Sequence, residues 1–270
     1  FSIGAISEAH EMVANALAAP TTEMGNEIRR AAIKHADETL HQSHAHRLWL
    51  WALVTDWGAD FQIKLSRGQL ASKEILGEDL TGTVVTDRYA GYHWIDIQHR
   101  QICWAHLLRD FARIATRPGQ AGKIGHRLLG WGYMIFRWRQ SDVPAKHWAL
   151  LERHLRTTLE AGVADRQACQ RTANTCQNLL KIWDSLWHFT QNPAIPPTNN
   201  LAERAIRSVV LRRKISYVTR SGRGMRFVER VFAVAYACNR QGRSLFKFLH
   251  QAIQAHLSQT PSPSLLPLQA

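Results

Sequence analysis

Long apolar runs are missing from this sequence. The longest, residues 48–54 and 231–238, fall far short of the roughly 20 residues a helix needs to cross a bilayer, so no membrane partner is expected. Cysteine is scarce: Cys103, Cys169, Cys176 and Cys238 lie far apart with no CxxC pair. Neither a disulfide framework nor a four-thiolate zinc site is indicated. The first twenty residues hold Glu8 and Glu11 and no Lys or Arg, the wrong charge for a secretory leader. Reduced thiols and this charge point to a cytoplasmic setting. The chain opens on Phe1 rather than Met and reads as a piece of something longer.

What is present is a core-forming composition. The 270 residues are 45% hydrophobic and 20% charged, with ten Trp, which suits a folded chain of one large domain or two modest ones. The net charge is +13, and most of it sits in one place. Between Glu203 and Lys247 there are twelve basic residues and two acidic ones, a balance of +10 (12 − 2). The arginines alternate with apolar residues and with Tyr217, Phe227, Phe232 and Tyr236. Such a stretch reads as a folded surface for a polyanion, foremost nucleic acid, whose neutralised phosphates release counterions.

Periodicity divides the chain into textures. Residues 6–17 read as a helix with Ser7 as a cap, and 27–33 as a shorter one. Residues 36–40, 48–55 and 61–65 read as strands of an antiparallel meander, with Asp56, Gly58 and Asp60 supplying turn chemistry. A short helix at 72–76 precedes a β-rich run at 82–86 that ends at Asp87. Residues 98–103 read as a further strand and 105–115 as a helix. Then strand signals stop, and helical patterns follow at 125–139, 147–161 and 168–190. Trp183 and Trp187, four apart on the last, read as core packing. Beyond Leu257 the prolines and serines suggest disorder. The sum is an α/β mixed sheet with an all-helical stretch inside it.

Three acids stand out by position. Asp37 lies on the first strand, Asp87 at the end of the central one, and Glu203 in the first turn of a helix. Gathered together, carboxylates repel unless a cation lies between them, and hard divalent ions with oxygen ligands suit that role. Two such ions can clamp a phosphodiester. Each acid also has a plainer explanation. Asn200-Leu201-Ala202-Glu203 fits a helix capping box, so capping and catalysis both stand open for Glu203. Asp87 fits a turn, and Glu38 rivals Asp37. His35, His41, His44 and His46 lack metal-site spacing and read as a polar hairpin. Cys103 and His106, three apart at a strand-to-helix junction, read as structural, or as residues that orient the acids if Asp87 is catalytic.

Five segments together resemble the transposases of the insertion-sequence-66 family: HADET at 35–39, VVTDRYAGY at 84–92, CWAHLLRDF at 103–111, NNLAERAIR at 199–207 and GRGMRFVERVFAV at 222–234. They occur in the family's order. One departure is Leu40-His41 after HADET, where the family usually continues with Gly-Trp, which affects the substrate contacts expected of that hairpin. Family members are also longer at the amino end and carry DNA-binding segments there.

The resemblance implies a ribonuclease-H-like catalytic domain whose Asp, Asp, Glu triad falls on Asp37, Asp87 and Glu203, holding two Mg²⁺ or Mn²⁺ ions. It implies a division into a helical segment (1–32), a first part of the core (33–117), a helical insertion between the second Asp and the Glu (118–196), a second part of the core (197–256) and a tail (257–270). Arg204, Arg207, Arg212, Arg213 and Lys214 would bind backbone phosphates. Cys103, His106 and Asn200 would support the acids. The expected activity is phosphodiester hydrolysis and strand transfer at transposon ends, by a homo-oligomer that holds both ends and the target DNA. The rivals are a DNA-binding remnant that no longer catalyses, and a nuclease that cuts without joining.

Overall fold

The computed structural model describes residues 2–42, 47–141, 143–216 and 221–267, with the side chains of 42 and 212–216 outside the description. Two compact units emerge: Phe1–His99 with Asn199–Ala270, and Arg100–Thr198. Along the chain, the first unit contributes α1 (Ile3–Ala16), α2 (Ala18–Arg30), β1 (Ile33–Gln42), β2 (Arg47–Val54), β3 (Ala59–Lys64), α3 (Gln69–Leu76) and β4 (Thr83–Thr86). The second holds β5 (Arg100–Ile102), α4 (Trp104–Ala115), α5 (Gly119–Trp138), α6 (Ala145–Ala164), α7 (Gln170–Lys181) and α8 (His188–Gln191). The first then resumes with α9 (Asn200–Ser216), α10 (Gly222–Arg240) and α11 (Leu245–Leu257).

In the first unit the strands run in the order β3-β2-β1-β4. β1 is antiparallel to β2, from His35 opposite Val54 to Gln42 opposite Arg47, and parallel to β4, from Ile33 with Thr83 to His35 with Val85. The sheet is mixed and the chain is α/β, as its alternating textures suggest. β2 is buried continuously from Leu50 to Val54, as expected of a strand covered on both faces. The hairpin from β2 to β3 closes through Thr55, whose amide donates to Gly58 O at 2.8 Å and whose hydroxyl accepts the Gly58 N–H at 3.1 Å.

The start of the parallel pair is clamped twice. Lys34 is fully buried, and its ammonium donates to Arg29 O (2.7 Å), Ala31 O (3.0 Å) and Thr81 O (2.5 Å). Burial pushes this ammonium down to about 8. Beside it, Gly82 has φ +66°, and a Cβ there would lie 2.3 Å from Ala32 O. Only glycine fits that conformation and that approach, which lets the Thr83 amide reach Ala32 O at 2.8 Å.

Element limits differ from the sequence reading where tertiary contacts intervene. The cap of α1 is Ser2, whose hydroxyl accepts from Ala5 N at 3.1 Å, and not Ser7. The helix expected at 27–33 ends at Arg30 because Ile33 already pairs with Thr83. Residues 258–267, where composition suggests disorder, carry no helix or strand but are tied down. Leu265 is fully buried, its carbonyl accepts from Gln241 Nε2 at 2.8 Å, and the Ser264 hydroxyl donates to Glu23 at 2.6 Å.

The second unit is mostly helical. α5 packs so closely on the end of α4 that a Cβ at Gly125 would lie 2.2 Å from Ala115 N. The single helix expected at 168–190 is broken: α7 stops at Lys181, a 3-10 turn spans Asp184–Leu186, and the short α8 follows. Side chains compete for the backbone here. Leu186 O accepts from Trp104 Nε1 (2.8 Å) and Gln101 Nε2 (3.2 Å), while Gln101 Oε1 takes the Phe189 N–H (3.1 Å). Trp187 is buried and its ring lies 5.4 Å from that of Trp183, so Trp187 packs as core while Trp183 is only partly buried and the two share no helix face.

Substituting Lys34→Met is expected to lower stability by about 2–4 kcal/mol, because three buried carbonyls lose their donor together. Urea unfolding should show an earlier midpoint at unchanged slope.

Candidate active site

The register of β1 with β4 has a fifty-residue offset. Carried two residues past His35 and Val85, it sets Asp37 level with Asp87 at the end of β4. Asp87 is held by an Asx turn: its Oδ1 accepts the Tyr89 N–H at 2.8 Å, and the Thr86 hydroxyl donates to the Asp87 carbonyl at 2.8 Å. Asp37 Oδ1 accepts the amide of its neighbour Glu38 at 3.0 Å.

Asp37 carries a strong electrostatic signal. Its carboxyl is pushed up from 3.8 to about 8, first by burial, then by the like charges of Glu38 and Asp87, with Glu203 adding to them; the Glu38 amide partly offsets the rise. Asp87 and Glu203, distant in sequence, therefore both act on Asp37. A buried carboxyl raised in this way by neighbouring carboxylates fits a hard divalent cation with oxygen ligands. Mg²⁺ and Mn²⁺ both suit the donor set.

Glu203 is delivered by α9, and the capping-box expectation needs correction. The Glu203 amide donates to Asn199 O at 3.2 Å, so Asn199 is the cap, and Asn200 is an exposed first helical residue. The Asn199 side chain turns to the strand instead. It is fully buried; its Nδ2 donates to Ala36 O at 2.8 Å, and its Oδ1 lies 3.1 Å from His35 Nδ1. With Nδ2 committed to a carbonyl, Oδ1 accepts, so His35 Nδ1 carries a proton. Burial pushes His35 down to about 4 against the opposing Asn199 bond, which keeps the ring neutral at pH 7. Thus one carboxamide fastens the Glu203 helix to the residue before Asp37.

The histidines do not form one polar hairpin loop. His35 and His41 are buried on β1, and His44 and His46 lie outside the described residues. Glu38, the rival to Asp37, points to the opposite face of the sheet by strand alternation. Its Oε1 accepts from Arg67 Nε (2.9 Å) and Nη2 (2.7 Å), and its Oε2 from the Tyr92 hydroxyl (2.5 Å). Pairing would lower Glu38, yet burial outweighs it and pushes the carboxyl up to about 7. Burial works against the Arg67 charge, and contact with Glu38 nevertheless raises it, so the ion pair stands. Arg67 also lies 3.8 Å from the Tyr89 ring centre.

Arg204 and Arg207 are exposed on α9, whereas the side chains of Arg212, Arg213 and Lys214 lie outside the described residues. Cys103 caps α4 and is buried, and His106 sits partly buried in the first turn of that helix, both in the second unit. Sequence reasoning missed Asn199, Arg67 and Tyr92. The doubled asparagine before the helix was the available signal for the first. Tyr92 closes the segment quoted at 84–92, whereas nothing local marked Arg67.

A family model described as Transposase IS66 family matches residues 2–227. No curated protein matches the chain individually.

Removing the Asn199 carboxamide by Asn199→Ala should cost about 1–3 kcal/mol, since a buried imidazole N–H and a carbonyl both lose their partner; chemical denaturation measures it. Asp37 gives a pH signature. The fold keeps a proton that the unfolded chain releases above 3.8, so Asp37 costs stability increasingly as pH rises from about 4 to about 8. Asp37→Asn should therefore melt higher than the wild type near pH 8, with the gap closing towards pH 4. Mn²⁺ should raise the wild-type melting temperature more at pH 8 than at pH 6, because binding displaces that proton, and should not stabilise Asp37→Asn.

Proposed function

The chain belongs to the IS66 family of transposases, and from that premise we propose that its first unit carries the catalytic centre for DNA hydrolysis and strand transfer on a ribonuclease-H-like sheet. The observation that carries the reading is the Asp37 carboxyl, raised by burial, then by the neighbouring charges of Glu38 and Asp87, with Glu203 adding to them. Asp37, Asp87 and Glu203 hold two divalent ions, Mg²⁺ or Mn²⁺. Bound there, such ions supply activation of an attacking oxygen and stabilisation of a leaving one.

The chain's own residues do the rest. Asp37 gives up its proton to become a ligand. Asn199 keeps the Glu203 helix in register with β1, while the Arg67 guanidinium and the Tyr92 hydroxyl occupy both oxygens of Glu38. Arg204 and Arg207, with Arg212, Arg213 and Lys214 further along α9, hold backbone phosphates and position the strand without reading its sequence. Water opens a phosphodiester at the element's end, and the 3′-hydroxyl left there attacks the target in a second in-line displacement. Residues 118–196 act as a helical insertion between Asp87 and Glu203, with Cys103, His106 and Asn200 in support of the acids. Two ends must meet for transfer, so a homo-oligomer on DNA is part of the proposal, as is action in the cytoplasm. Among the described residues no helix is long and apolar enough to cross a membrane.

Glu203→Gln should reduce metal-dependent strand transfer by roughly 100- to 1,000-fold, the kinetic equivalent of several kcal/mol, with DNA affinity largely retained. The assay is joining of labelled element ends to a plasmid. Undiminished joining by the variant removes Glu203 from the chemistry. DNA binding with no cutting by the wild type assigns the chain as a remnant, and release of ends without joining assigns it as a nuclease.

A further inference from the structure

Within the first unit, α9 and α10 leave a groove of about 660 Å³ between them, in the range of ligand pockets. From α9 it is lined by Leu201, Arg204, Ala205 and Ser208, a stripe at i, i+3, i+4 and i+7. From α10 come Phe232, Ala235 and Tyr236, followed one turn on by Asn239 and Arg240. Two aromatic rings thus stand in a groove whose charged lining residues are both arginines. Phe232 and Tyr236 are only partly buried, and Arg204, Ser208 and Arg240 are exposed.

The lining is held in place. The Tyr236 hydroxyl donates to Thr55 O at 3.1 Å, and Arg240 Nε donates to Asp56 O at 2.6 Å, so the turn after β2 orients both side chains. Arg204 acts electrostatically on His35, two residues before Asp37, and also on Tyr236 in the groove. Its neighbour in sequence is Glu203. The groove runs along the α9 face formed by positions 201, 204, 205 and 208, on the side of the helix away from Glu203.

Aromatic faces bind a nucleic-acid base only when that base is unstacked, and arginines beside them suit the phosphates of the same strand. We propose that this groove seats an unpaired nucleotide of the DNA strand being processed, its base against Phe232 and Tyr236 and its phosphates on Arg204 and Arg240. The proposal rests on the transposase reading above and adds the strand state it handles: an end opened by at least one base pair. Charge complementarity selects this occupant over an apolar helix, which would leave two guanidinium groups facing no anion.

The test uses the full chain and a single-stranded ten-nucleotide DNA carrying 2-aminopurine, with a blunt duplex of the same sequence for comparison. Stacking in the groove quenches 2-aminopurine on binding by the wild type. Ser208→Trp, which fills the groove from an exposed position, should weaken single-strand binding at least about tenfold and abolish the quench, with a much smaller effect on the duplex. Asn239→Trp fills it from the opposite wall and serves if the first variant does not fold. Arg204→Ala should weaken both DNAs. Unchanged single-strand affinity and quenching in the filled variants overturn the proposal. So does a filled variant that keeps single-strand affinity but turns a dimer into a monomer, which assigns the groove to a second copy. The two readings separate cleanly: normal strand transfer with no quench removes only the groove, whereas a persistent quench without strand transfer by the wild type removes only the transposase reading.

Discussion

Like charge gathered in a half-buried space is the constraint around which the first unit is organised. Burying one carboxyl is unfavourable, and setting two more against it is worse. Asp37 registers this by holding its proton up to about pH 8. Such an arrangement does not persist on its own merits, because a modest shift of α9 or β4 would relieve it. It persists because the elements carrying the acids are fastened elsewhere. Lys34 binds the end of α2 and Thr81 together at the head of the parallel pair, and Asn199 binds the start of α9 to Ala36. Each fastening is a short-range hydrogen bond to backbone, which is insensitive to the charge state of the acids it positions.

The adjacent acids Asp37 and Glu38 illustrate how one strand serves two purposes. Alternation sends them to opposite faces. Glu38 meets a guanidinium fork and a phenol, and its role is to lock β1 to Arg67 and Tyr92. Asp37 meets other carboxylates. Sequence proximity made them rivals, and the difference between them lies wholly in what each face packs against.

That difference also marks how far the sequence was legible. The mixed sheet could be read from short β-rich runs, and the acids from their segments, because those signals are local: periodicity, turn residues and motif spacing. Asn199 was not singled out because its partners are more than 160 residues away, and its neighbour Asn200 offered a simpler local explanation in the capping box. The break after α7 escaped for the same reason. Helical periodicity continues through 182–187, and only the demand of Gln101 and Trp104 for Leu186 O and the Phe189 amide stops it. The anchoring of Leu265 likewise depends on Gln241, not on anything in the Pro- and Ser-rich segment itself.

The surplus of positive charge begins, in sequence, directly after Glu203. A basic stretch at a distance from a carboxylate cluster would attract DNA without presenting it. Here the cations begin at the residue after Glu203, and Arg204 acts on His35 on one side and Tyr236 on the other. If Arg204 holds a phosphate, as proposed, that phosphate would lie near carboxylates that repel it when bare. On the proposed reading, repulsion of that kind would keep DNA away until cations occupied the acids, and metal loading would then be coupled to strand engagement through charge. The same reading would set an order: neutralisation of the acids first, then approach of the backbone, with the arginines determining where it lies.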